Sequence, residues 1–309
     1  MECIVSFSEL EWAILQTVAY ADIFDYPLTP SEIQRYLTGA TATVEEVQAA
    51  LSSSSLNGRY LSRSADYFSL AGREHIVETR RRRAQVAARL WPVGRRYGHF
   101  IGSLPFVRMV AVTGSLAVDN TESGGDIDYL VVTKARRLWL CRLLVVVLVR
   151  WVEWRSGYTL CPNYFISENA LTINEHDLYT ARELVQMVTV FGSETYTTMR
   201  QFNAWTDGQF PNATSTHSNN TTPQRKIAAF SKRLIERMIP TSVGDWIDRW
   251  EMKRKIRKLS QQSDAREADF SADWCKGHFD GHKRRILDSY DHRLKALKHR
   301  QHDLMAKPL

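Results

Sequence analysis

Val110-Ala111-Val112-Thr113-Gly114-Ser115, followed after a ten-residue spacer by Asp126-Ile127-Asp128-Tyr129-Leu130-Val131-Val132, is the stretch on which the fold turns. An apolar run ends in Gly-Ser, a short polar loop follows, and an Asp-x-Asp pair opens a second apolar run. Side chains at i and i+2 of a strand point to one face, so the carboxylates of Asp126 and Asp128 share a side. Two adjacent like charges are costly unless a cation stands between them, and hard oxygen ligands suit Mg²⁺. Gly114 lets the backbone approach a polyphosphate closely, while Ser115 and nearby amides supply donors to it. Gly124 and Gly125 let the spacer turn sharply into the Asp strand. The plainer reading of the same residues is a polar hairpin.

Spaced in this way between two apolar runs, the motif resembles that of the nucleotidyltransferase superfamily that includes DNA polymerase beta. It covers residues 106–133, and the matching domain 106–205. The resemblance implies an α/β (α+β) nucleotidyltransferase domain with a mixed sheet and the Asp pair on a central strand. It implies a metal-dependent reaction in which NMP passes from an NTP to an acceptor hydroxyl and pyrophosphate leaves. Asp126 and Asp128 would be the catalytic residues and hold Mg²⁺ (or Mn²⁺). Gly114 and Ser115 would hold the nucleotide phosphates. Relatives often carry a third carboxylate on a neighbouring strand, and the strand expected here, 158–167, has neither Asp nor Glu. Asn163 sits mid-strand and Glu168 just past its end, with opposite parity, so a regular strand cannot bring both to one face. The alternative function is a catalytically inactive protein of the same fold, binding NTP or nucleic acid as a regulatory module.

The 309 residues can hold two or three domains and bury a sizeable core. Hydrophobic content of 44% and charged content of 24% are those of an ordinary soluble protein, and a cytoplasmic location is expected. The N-terminus shows no signal-peptide pattern. The most apolar stretch, 138–154, is interrupted by Arg142 and Arg150, which is too short to span a bilayer; it reads as a buried helix, and no membrane partner is expected. Cys3, Cys141, Cys161 and Cys275 have no paired spacing and suit reduced thiols.

Five segments emerge. Residues 1–72 show three helical segments and two short strands, an order that resembles a winged helix. Their three basic and nine acidic residues disfavour DNA contact and favour a packing or docking role. Residues 73–105 form a helical connector carrying Arg80-Arg81-Arg82-Arg83, at least one of which is expected to pack against acidic neighbours. In 106–205, after the motif, a helix over 134–155, strands over 158–167 and 171–173, and a helix over 177–190 are predicted. Residues 206–224 are polar and turn-rich, which predicts a flexible linker. Residues 225–309 form a basic helical region; from 222 onward 21 Lys and Arg face 12 Asp and Glu, a polyanion-binding balance that could bring a nucleic-acid acceptor. Within it Cys275, His278 and His282 would share one face of a helix as metal ligands, although Gly277 and Gly281 weaken that helix and packing is the simpler role. The tryptophans are spaced mostly as core residues.

Overall fold

The computed structural model describes residues 7–213, 226–260, 269–276 and 281–306. Its first three helices, α1 (Glu9–Asp22), α2 (Pro30–Arg35) and α3 (Val44–Ser52), each start on a capping box. Ser8, Thr29 and Thr43 accept the N3 amides while Glu11, Glu32 and Glu46 reach back, which satisfies amides that a helix start leaves orphaned. An antiparallel hairpin of β1 (Leu61–Ser64) and β2 (Tyr67–Leu70) follows. Ile14, Leu15, Val18, Leu28, Ile33 and Leu51 close a core of their own.

The long α4 (Ile76–Ser103) leads to the sheet. The four arginines divide as helical spacing requires: Arg81 and Arg82 are exposed, while Arg80 and Arg83 turn inward. Arg80 donates to Glu32 at 2.6 Å and lies 3.7 Å from the centre of the Tyr26 ring. Arg83 donates to Glu122, to the Phe24 carbonyl at 2.9 Å and to Asn120.

Next come β3 (Val107–Val112), the one-turn α5 (Gly114–Ala117), β4 (Ile127–Thr133), α6 (Leu138–Ser156), β5 (Leu160–Ser167), α7 (Leu178–Gln186), β6 (Val188–Phe191), α8 (Ser193–Phe202) and α9 (Trp205–Gln209). The chain ends with α10 (Lys226–Met238), α11 (Thr241–Ser260), β7 (Asp269–Phe270), β8 (Trp274–Lys276) and α12 (His282–Ala306). The sheet is mixed, in the order β6-β3-β4-β5-β8-β7, with β4 and β5 parallel and the other neighbours antiparallel. The Asp-bearing β4 is thus internal. Alternation sends Val110, Val112, Tyr129 and Val131 into a core with α4 and α6, and Met109, Ala111, Leu130 and Val132 into one with α7 and α8. Helix α4 approaches the first face so closely that a Cβ on Gly98 would come within 2.5 Å of Val190 Cγ2.

The structure departs from the sequence expectations at several places. Residues 171–173 form no strand; Leu171 and Ile173 are buried, and the Ile173 amide donates to Asn203 Oδ1 at 2.8 Å in place of a strand partner. The helix predicted over 177–190 stops at Gln186, and Val188–Phe191 joins β3 as the sheet-edge strand β6. Where composition predicts a linker, 206–213 is folded: Phe210 is buried against Tyr36, Ala181 and Val185, and Asn212 donates to the Ala40 carbonyl at 3.0 Å. One anchored aromatic outweighs a polar composition there; residues 214–225 lie outside the described residues. The C-terminal region is not all helix, since β8 pairs with β5 and widens the sheet. Helix α6 is buried through its first turn, Leu138 to Cys141 with Trp139 fully enclosed, and then only along Val145, Val149 and Val152, while Trp151 and Trp154 are 54% and 82% exposed. Trp246 and Trp250 are exposed as well.

Candidate active site

Strand β3 ends at Val112, paired with Tyr129, and the Thr113 amide donates to the Asp128 carbonyl at 3.0 Å. This antiparallel pairing sets Gly114 beside the Asp128 side chain. Gly114 adopts φ +62°, a left-handed conformation that glycine takes freely, and a Cβ there would lie 2.6 Å from Asp128 Oδ2. The spacer is held in shape by its own bonds: the Asn120 amide donates to the Ser115 carbonyl at 2.8 Å, and the Ser115 and Thr121 hydroxyls are 3.2 Å apart. Gly114, Ser115 and Asp128 line one cleft of ≈ 370 Å³, within the usual size of a small-molecule site.

Asp128 points to the α7 side of the sheet, and burial together with the neighbouring Asp126 carboxylate pushes its pKa up to about 6. Asp126 precedes β4 and is exposed at the strand end. Parallel pairing places Asp128 opposite Cys161, and two residues on, Asn163 Nδ2 donates to Asp128 Oδ1 at 3.0 Å. Of the two candidates for a third group, Asn163 therefore reaches the site. Glu168 does not: its Oε1 accepts the Ala135 amide at 3.1 Å, and it lies seven residues beyond Cys161, on the order of 20 Å along the strand.

The carboxylate that faces Asp128 comes from elsewhere. Glu183 on α7 accepts the Gly114 amide, lines the same cleft, and is pushed up to about 7 by burial and then by the Asp128 charge, against the pull of Arg182. Sequence reasoning missed it because α7 was read for its apolar positions. The signal was on the other stripe: Tyr179, Arg182, Glu183 and Gln186 recur at i, i+3, i+4 and i+7, and all four line the cleft. Arg182 is held in place with its guanidinium 3.3 Å from the centre of the Tyr36 ring.

The N-terminal unit completes the wall. Tyr20, Phe24 and Tyr26 line the cleft, Tyr26 donates to the Val118 carbonyl at 2.7 Å, and Asn120 donates to the Phe24 carbonyl at 3.0 Å. At the opposite rim Lys276 pairs with Glu175 at 3.0 Å, and Lys283 pairs with Asp177 at 3.0 Å.

The Cys275, His278 and His282 expectation is not met as a helical ligand set. Cys275 is buried on a strand and His282 opens α12, so the two do not share a helix; His278 lies outside the described residues. Among the described residues no group of three or more His, Cys, Asp or Glu is placed to hold a metal ion. Nor is any described helix long and apolar enough to cross a membrane. Comparison with protein-family models, with curated proteins and with solved structures finds no match to this chain.

Proposed function

We propose that this chain is a metal-dependent nucleotidyltransferase that moves NMP from an NTP to an acceptor hydroxyl with release of pyrophosphate. The observation that carries the reading is the contact between Gly114 and Asp128 at the floor of a small-molecule cleft. Gly114 and Ser115 at a strand end and Asp128 on the adjacent antiparallel strand line that cleft, and Asp126 stands just before the strand, close enough to raise the Asp128 carboxyl. The three helices and hairpin of residues 7–70 support a winged-helix-like reading of the N-terminal unit, used here as a wall of the cleft.

The donor set fits a divalent cation. Burial and the Asp126 charge raise the Asp128 carboxyl against a hydrogen bond with Cys161, and a bound cation would favour its charged form. Mg²⁺ is commonly held by one or two carboxylates plus substrate phosphates, so a pair without a third protein ligand suffices. Asp126 and Asp128 would hold it, and it would neutralise charge on the attacking and leaving oxygens. The Ser115 hydroxyl, now beside Thr121, and the backbone amides at the start of α5 would orient the triphosphate. Glu183, with a pKa near neutrality, is suited to take the proton of the acceptor hydroxyl as its oxygen bonds to the α-phosphorus and the bond to pyrophosphate breaks.

One observation favours the second reading, a non-catalytic NTP- or nucleic-acid-binding protein: the strand position that reaches Asp128 is an amide, Asn163. The test is incubation of the purified chain with each α-³²P-labelled NTP and Mg²⁺ or Mn²⁺, in the presence and absence of RNA. Label transferred by the wild type and lost in Asp126→Ala supports the enzyme and identifies its acceptor, including a nucleic acid recruited by the basic C-terminal region. Metal-dependent NTP binding without turnover supports the binding protein.

A further inference from the structure

The outer surface of α6, α10 and α11 differs from the rest of the molecule. It exposes Val147, Trp151 and Trp154 from α6, Leu234 and Met238 from α10, and Val243, Trp246 and Trp250 from α11. On α6 the exposed positions 147, 151 and 154, and on α11 positions 243, 246 and 250, recur at helical spacing, so each set forms a stripe. Scattered apolar residues need no explanation, whereas exposed stripes on two helices packed together, as α11 is on α6, with charge beside them mark an interaction surface.

The charges between these stripes are sorted by sign. On α10 and α11 every carboxylate is engaged inside the fold. Glu236 pairs with Arg108 at 2.9 Å, Asp245 with Arg136 and Arg137, and Asp248 accepts the Leu140 amide at 2.9 Å; Glu251 is fully buried and paired with Arg254 at 2.6 Å. The remaining acid, Glu153 of α6, stands 3.9 Å from Arg150. Lys232 is buried, donating to the Gly102 and Val107 carbonyls, but Arg150, Arg155, Arg233, Arg237, Arg249 and Lys253 are all exposed.

Three occupants could cover such a face. A second copy meeting it across a two-fold axis would set these cations against themselves, which like-charge repulsion opposes. A nucleic acid would use the cations and could stack on the tryptophans, but it leaves Val147, Leu234, Met238 and Val243 without a partner. An anionic bilayer uses both sets: tryptophan rings and aliphatic side chains enter the headgroup boundary while Lys and Arg meet the lipid phosphates. We propose that the α6–α10–α11 face seats the protein on an anionic lipid surface, lying on the bilayer rather than spanning it. The seat departs from the sequence expectation of no membrane partner, which rested on the lack of a spanning segment. Helix α6 covers one face of the sheet and the cleft opens on the other, so a seated molecule keeps its site open to water.

The test is co-sedimentation of the full chain with vesicles of phosphatidylcholine alone or of equal parts phosphatidylcholine and phosphatidylglycerol. The wild type is expected to pellet with the anionic vesicles only. Trp154→Ser/Trp246→Ser should abolish pelleting with an unchanged melting temperature. Arg155→Ala/Lys253→Ala should weaken it about twenty-five-fold, since each cation near such a surface contributes about fivefold. The proposal is overturned if the wild type stays in the supernatant with anionic vesicles, or if both variants pellet as it does. It is equally overturned if sedimentation velocity without lipid shows a dimer that Trp154→Ser/Trp246→Ser dissolves, or if RNA but not vesicles retains the protein.

Discussion

Asp128 occupies the space that a side chain on Gly114 would need: a Cβ at residue 114 would stand 2.6 Å from Asp128 Oδ2. The two halves of the motif, fourteen residues apart in this pair, are therefore one contact. Gly114→Ala meets both the clash and a φ of +62°, and should destabilise the fold by about 1–3 kcal/mol. It should also displace Asp128 and weaken metal-dependent NTP binding, read by urea unfolding and by calorimetry. Wild-type affinity in that variant would show that the contact lies outside the nucleotide site.

Asp128→Asn keeps the shape and an acceptor oxygen for Asn163 while removing the charge. Transfer should fall by on the order of 10²–10³-fold, as for loss of a principal electrostatic group in a water-poor site. The wild type should melt at a higher temperature with Mg²⁺ and NTP together, through mass action on the folded state, and Asp128→Asn should lose that shift. An unaltered shift would remove Asp128 from the metal site.

Glu183 connects the site to pH. Its carboxyl is raised from 4.5 to about 7, so the folded state holds the proton more tightly than the unfolded chain. Stability contributed by the protonated form is present below about pH 4.5 and is lost as pH rises to about 7. Glu183→Gln retains an oxygen for the Gly114 amide without the charge, and should be more stable than the wild type by about 1–3 kcal/mol above pH 7. The two proteins should converge toward pH 4. Parallel pH–stability curves would show that Glu183 is not held as described.

Arg80 joins the N-terminal unit to α4 through Glu32 and Tyr26. Removing one partner of a buried pair leaves the other charge uncompensated, so Arg80→Met should cost about 3–5 kcal/mol in chemical denaturation. Glu32→Gln/Arg80→Met should recover part of that loss, and a double variant as unstable as Arg80→Met alone would locate the cost in the lost ring contact with Tyr26.

Much of this architecture was legible locally. The three N-terminal helices and hairpin, the strand–Gly-Ser–spacer–Asp-x-Asp order and the packing of at least one of Arg80 to Arg83 against an acidic neighbour all follow from short-range periodicity and side-chain chemistry. Strand β6 was not legible, because Val188-Thr189-Val190-Phe191 continues a helical apolar pattern and becomes a strand only where the edge of β3 accepts it. Strand β8 was hidden similarly: three residues pair with β5 more than a hundred positions earlier in the chain.

The candidate site divides along the same line. Its Gly114, Ser115 and Asp128 are separated by few residues, so one antiparallel pairing brings them to one cleft with Asp126 just before the strand, and the sequence alone determines that grouping. Whether Asn163 or Glu168 reaches Asp128 depends on the register of a parallel pair, which local pattern does not encode; that register selects Asn163 and places Glu168 at the far end of β5. Glu183 and the Tyr20, Phe24 and Tyr26 wall come from elements whose own hydrophobic stripes direct them to other cores, and only tertiary packing turns their opposite faces toward one cleft. The outward tryptophans of α6 and α11 obey the same physics: periodicity places them on a stripe, but only the packed fold decides whether that stripe has a partner.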